Sequence, residues 1–146
     1  MIIPAGKQHY PAIIDLWERS VRATHHFLPE EYLKTIKRIL PAVLPDVELF
    51  VFEADDKSLH GFLGVAGQKI EMLFIHPDKI GQGIGRQLTR YAIEQMHAHK
   101  VDVNEDNPEA LRFYLHVGFV QTGRSETDGL GKPYPLLHME LPGAVD

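Results

Sequence analysis

Three glycines at alternate positions, Gly81, Gly83 and Gly85, stand between the apolar run Lys69-Ile70-Glu71-Met72-Leu73-Phe74-Ile75 and a segment in which Ile84, Leu88, Tyr91, Ala92 and Met96 recur at helical spacing. The chain therefore passes from strand to helix through a loop with almost no side chains. The N–H groups of a first helical turn lack internal partners, and the helix dipole favours negative charge there. Missing side chains let a phosphate come close to them. Arg86 adds a guanidinium able to grip a phosphate with two donors. An isolated Gly-x-Gly would read as a plain turn, but three in alternation ahead of a helical stripe read as a phosphate loop, with pyrophosphate as its natural guest. The commoner phosphate motifs do not fit. No Gly-Lys-Ser/Thr is present, and a dinucleotide fingerprint would need glycine where Arg86 stands, which disfavours a Rossmann dehydrogenase.

The flanking sequence sets the fold around this loop. After a short first strand, Tyr10, Ile13, Ile14, Trp17 and Val21 predict a helix over about residues 8–23, and Leu33, Ile36 and Leu40 a second that begins at Pro29 and is ended or kinked by Pro41 and Pro45. Residues 48–54, 59–65 and 69–75 read as three antiparallel strands. Beyond the glycine helix come a short strand at 100–104, a helix opened by Asn107-Pro108 and closed at Gly118, and a hairpin formed by 120–126 and 134–141. The expected order is β-α-α-β-β-β-α-β-α-β-β, a mixed α/β sheet with helices on its faces, with residues 1–146 read as one domain.

Composition narrows the function. Lys+Arg number 15 against 20 for Asp+Glu, a formal net charge of -5, which argues against a nucleic-acid surface. There is no cysteine, so thiolate nucleophiles, disulfides and thiolate metal sites are excluded, and the nine histidines form no His-Glu-x-x-His; no metal is expected. No stretch approaches the ~18 apolar residues of a membrane span, and the amino terminus lacks a signal-like pattern, so a cytoplasmic protein without membrane contact is expected. Oligomeric state is left as monomer or homodimer.

Residues 77–88, containing Gly81-Gln82-Gly83-Ile84-Gly85-Arg86, and residues 107–119, containing Asn107-Pro108-Glu109-Ala110 and Phe113-Tyr114-Leu115-His116-Val117-Gly118-Phe119, resemble the two signature segments of the GNAT N-acetyltransferase superfamily. The element order is similar too. The resemblance implies a mixed GNAT sheet, acetyl-CoA as cosubstrate and an amine acceptor. It implies that Gly81, Gln82, Gly83, Ile84, Gly85 and Arg86 bind the pyrophosphate, that Leu73 and Ile75 pair their backbone with the pantetheine arm, that Asn107 hydrogen-bonds the arm, and that Tyr114 protonates the departing thiolate. From spacing alone Tyr114 is a core aromatic beside Phe113. The family usually has Arg or Gln at the head of the loop, where this chain has Ile80.

An amine attacks only when neutral, so a proton acceptor is needed. Strand alternation puts Glu71 on the same face as Leu73 and Ile75, a lone carboxylate among apolar neighbours and therefore a candidate base; the alternative is an edge carboxylate reaching solvent or Lys69. By the resemblance, the acceptor pocket lies between the first two helices, where Trp17, His25 and Phe27 become substrate contacts and His25 or His26 an alternative base. Trp17 on the buried stripe is otherwise core, and the histidines otherwise surface loop. Residues 123–135 either wall the acceptor site or form a plain hairpin tip. The rival function is a non-catalytic acyl-CoA sensor or scaffold, which keeps the loop and loses the chemistry.

Overall fold

Leu63 and Val65 pack toward one side of the sheet with Phe50 and Phe52, while Leu49, Val51 and Phe62 pack toward the other, so the central strands bury both faces and require helices on each. The computed structural model describes residues 1–143. Its strands are β1 (Ile2–Pro4), β2 (Glu48–Glu53), β3 (Leu59–Ala66), β4 (Lys69–Ile75), β5 (Lys100–Asn104), β6 (Val120–Ser125) and β7 (Leu136–Glu140). The helices are α1 (Tyr10–Thr24), α2 (Glu30–Val43), α3 (Ile84–Met96) and α4 (Pro108–Val117). The sheet runs β1-β2-β3-β4-β5-β7-β6. Three short 3-10 turns are added to the expected order of strands and helices.

On one face α1 and α2 press Ile13, Leu16, Trp17, Val21, Leu33 and Leu40 against Leu49, Val51 and Phe62. On the other, Ile84, Leu88 and Ala92 of α3 and Tyr114 of α4 meet Leu63, Val65, Ile70, Val101 and Val103. Pro41 does not end α2, which continues to Val43. Proline removes one internal hydrogen bond, but Pro41 is exposed, so water can serve the freed carbonyl, and the flanking Leu40 and Leu44 are buried in the same core and hold the helix on course.

Two irregularities in β4 shape the site. The first is its partnership with β5, which is parallel and holds for only two pairs, Lys69 with Lys100 and Ile70 with Val101. Past them the strands diverge, each keeping its other neighbour, and the sheet forks. The second is a register shift against β3: Gly64 pairs with Met72 and Val65 with Ile70, leaving Glu71 as the extra residue of a bulge. The bulge resets the alternation, so that Ile70 packs with Leu73 and Ile75 on the α3–α4 side while Met72 and Phe74 face α1. Glu71 is thus exposed rather than enclosed among Leu73 and Ile75, which corrects the simple alternation expected from sequence.

Polar contacts tie the fork at its apex. Lys69 Nζ donates to Asp102 Oδ2 at 2.6 Å, Asp102 Oδ1 lies 2.6 Å from His138 Nδ1, and His138 Nε2 lies 2.6 Å from Ser125 Oγ, a chain crossing β4, β5, β7 and β6. Burial pushes the Asp102 carboxyl up, but the hydrogen bonds from Lys69 and His138 outweigh it and hold the group below the ordinary carboxylate range.

Candidate active site

The fork opens into a cavity of about 560 Å³, within the range of small-molecule sites. Ser20, Thr24 and His25 line it from α1 on one face of the sheet, and Gly81, Gly83, Gly85 and Arg86 with Asn107, Phe113 and Tyr114 line it from the other. The cavity is therefore a slot through the sheet, walled by the parted strands β4 and β5.

On the α3 side the donors are backbone. Gly81 has φ 89° and Gly83, the residue preceding α3, φ 82°; both lie in the left-handed region that disfavours side chains. A Cβ at either would meet no protein atom within 4 Å, so conformation and open space, not packing, call for glycine. The first bond of the helix runs from Gln87 N–H to the Gly83 carbonyl at 3.0 Å, and no side chain caps the start. The amides of Ile84, Gly85 and Arg86 are left pointing out of the helix end. Lys79 and Arg86 add two cations to the lining. Open space over glycine, undirected amides and cations fit a pyrophosphate.

Asn107 caps α4 by accepting the Ala110 N–H at 3.2 Å through Oδ1, which leaves its side-chain NH₂ for a ligand. Tyr114 is buried, edge-on to Phe113 and Phe119. Burial pushes its phenol well above the ordinary value, so the group is protonated across the physiological range. Its hydroxyl makes no protein hydrogen bond among the described residues, and no buried side-chain oxygen there lacks a partner, so the hydroxyl opens on the slot that Tyr114 lines.

Comparison with known proteins names the fold. A family model described as an acetyltransferase (GNAT) domain matches residues 15–141. The chain belongs to the GNAT acetyltransferase family. It is 42% identical over 130 residues to a peptidyl-lysine N-acetyltransferase, YjaB, of Salmonella typhimurium, covering 89% of this chain and 90% of that one. The solution structure of apo YjaB from Escherichia coli superposes with TM-score 0.89 at 40% identity, over 99% of this chain and 98% of the other. The PaiA N-acetyltransferase of Thermoplasma acidophilum, solved with coenzyme A, shares the fold at TM-score 0.75 and 19% identity, over 97% and 98% of the two chains. As a GNAT protein this chain is an N-acetyltransferase with acetyl-CoA as its cosubstrate.

Within the GNAT slot the structure brings together Glu71, Leu73, Ile75, Gly81, Gly83, Ile84, Gly85, Arg86, Asn107, Tyr114 and His25 from the residues expected from sequence. Gln82, Trp17 and Phe27 lie outside its lining. Trp17 is only 5% exposed in the α1–α2 core. Phe27 sits one layer back, its ring 5.5 Å from His25 and 6.3 Å from Tyr134. Tyr134 in turn stacks on Tyr32 at 5.2 Å, and the Tyr32 hydroxyl donates to Asp128, so the β6–β7 connection is bound to the α1–α2 end as one aromatic wall. Sequence reasoning missed Lys79, Asp102 and Tyr32, while Asp128 lies in the 123–135 segment it offered as an acceptor wall. Only Lys79, inside the loop motif, had a local signal; the others depend on strand and loop pairings remote in sequence.

Proposed function

We propose that this enzyme acetylates the ε-amine of lysine in proteins or peptides, by direct transfer from acetyl-CoA within the slot, as a single-domain enzyme. The observation that carries the reading is the fork: a cavity open to both faces of the sheet lets two substrates meet without an acyl-enzyme, and the chain has no cysteine to form a thioester of its own. The peptidyl-lysine acetyltransferase names of the relatives support the acceptor class.

Acetyl-CoA supplies the activated acetyl group. The amides of Ile84 to Arg86 hold its pyrophosphate, with Gly81, Gln82 and Gly83 shaping the turn, and the freed edge of β4 at Leu73 and Ile75 pairs with the extended arm. Asn107 donates to the arm. Glu71, at the bulge and open to the slot, takes the amine's proton directly or through water, and Tyr114 gives its proton to the leaving sulfur. The neutral phenol suits that role, because it holds its proton until a strong base appears beside it. Phe27 supports the acceptor wall, and Trp17 fixes α1 beneath it.

Among the described residues no helix is long and apolar enough to cross a membrane and no cluster suits a metal ion. The reading is of a cytoplasmic enzyme without nucleic-acid partners, acting as monomer or homodimer. Release of free CoA with Nα-acetyl-lysine amide, together with mass-spectrometric detection of the ε-acetyl product, tests it. Acetyl-CoA binding without turnover across a broad amine panel would instead identify an acyl-CoA sensor.

A further inference from the structure

We infer that His25 is the hydrogen-bond acceptor for the reacting amine: its Nε2 lone pair, fixed by a relay through Thr24 to Ser20, receives an amine N–H at the α1 mouth of the slot. The inference rests on the acetyltransferase reading above and assigns His25 a role separate from that of Glu71.

The relay follows from counting protons. Thr24 has one hydroxyl hydrogen. Its Oγ1 lies 2.8 Å from the Ser20 carbonyl oxygen, which can only accept, so the hydrogen is committed there. The same Oγ1 lies 2.7 Å from His25 Nδ1. An oxygen whose proton is already used can only accept, so Nδ1 carries a hydrogen and donates it. In a neutral imidazole the lone pair is then on Nε2. Among the described residues Nε2 meets no protein donor, and no buried side-chain nitrogen lacks a partner, so this atom opens on the slot that Ser20, Thr24 and His25 line.

The surroundings keep the ring neutral. His25 ends α1, with its N–H bonded to the Val21 carbonyl at 2.7 Å, and its ring lies against Phe27 and Phe74 at 5.5 and 6.4 Å. Burial, and secondarily the neighbouring His26, push its pKa down to about 4. A neutral ring accepts a hydrogen bond without becoming charged, and so aims the amine's lone pair through the fork toward the thioester; the proton leaves by the Glu71 route proposed above.

Two measurements test this on the full chain. Nitrogen-15 spectra of histidine-labelled enzyme should show His25 with Nδ1 protonated and Nε2 bare, and adding Nα-acetyl-lysine amide in the presence of CoA should move the Nε2 resonance. Thr24→Val, which keeps the size and loses the hydroxyl, should mix the two tautomers. In kinetics, His25→Leu should lower kcat/KM for the amine roughly ten- to a hundredfold with acetyl-CoA affinity unchanged. His25→Gln, whose side-chain carbonyl reaches about as far as Nε2, should recover most of the loss, and the shorter His25→Asn should not. A wild-type Nε2–H tautomer, an Nε2 resonance indifferent to the amine, or a His25→Leu enzyme with unchanged kcat/KM would each overturn the inference. Failure of the wild type to acetylate any amine would overturn the acetyltransferase reading alone, because the amine titration of Nε2 reads His25 without turnover.

Discussion

The two mouths of the slot are made of different material. On the α3 side, the proposed binding groups are main-chain amides exposed by glycine and by the start of a helix, with Lys79 and Arg86 at the margin. On the α1 side they are side chains, with His25 oriented by Thr24 and backed by rings from the α1–α2 end and the β6–β7 connection. A pyrophosphate is the same in every acetyl-CoA, so a backbone cradle that ignores side-chain identity serves it. An acceptor must be told from other amines, and only side chains can do that. The comparison predicts that substitutions on the two sides separate cleanly: α3-side changes alter affinity for acetyl-CoA, and α1-side changes alter kinetics toward the amine.

The largest effect should come from Tyr114, the proposed general acid at the junction of the two sides. Tyr114→Phe should lower kcat about 10²- to 10⁴-fold, as loss of a general acid does, with the acetyl-CoA dissociation constant nearly unchanged in calorimetry. A strong loss of binding instead would return Tyr114 to the core role that its spacing suggests.

Next is the cradle. Gly83→Val places a β-branched side chain at φ 82°, a strain of about 1–3 kcal/mol, and should weaken acetyl-CoA binding roughly tenfold to a hundredfold. Ile80 is 60% exposed at the head of the same loop, and Ile80→Ala should change affinity by less than about threefold, since surface substitutions outside special contacts cost little. If Ile80→Ala proved the more damaging, the cradle would be a side-chain site after all. Glu71→Gln should lower kcat/KM for the amine by about an order of magnitude, less than a sealed general base would, because water reaches this exposed position and can substitute.

Two smaller effects concern the supports. Tyr32→Phe removes the hydrogen bond to Asp128, with an expected cost of about 1 kcal/mol and a few-fold rise in KM for the amine, while acetyl-CoA affinity stays put. Asp102→Asn should destabilise the fold in a pH-dependent way. The folded-state pKa of Asp102 is depressed, so its contribution is present above the ordinary carboxylate value and is lost as pH falls through the lowered folded one. Thermal melts should show the variant below wild type at pH 7 and the gap closing in acid. A gap independent of pH would mean that the carboxylate charge is not what ties the fork.

Legibility in the sequence divides along the same line. The glycine loop, its helix and the Asn107 to Tyr114 segment were readable because each is a local pattern: φ demands, helical periodicity and a capping residue act within a few positions. Glu71 shows where locality fails. Its exposure follows from a bulge set by the pairing of Gly64 with Met72 and Val65 with Ile70, and a period of two counted along β4 cannot reveal a change of phase imposed by β3. Trp17 was readable as an apolar stripe but not as core or pocket, since that depends on what α1 meets.

By itself, then, the sequence determined the order of elements and the glycine loop that opens α3, because these rest on backbone conformation and short-range spacing; the acid role of Tyr114 is what the family resemblance implies. The tertiary structure alone decided that β4 and β5 part after two pairs and that the resulting slot, lined by His25 on the α1 side, runs through the sheet. Those features arise where segments distant in the chain compete for the same hydrogen bonds, and no local pattern records which partner wins.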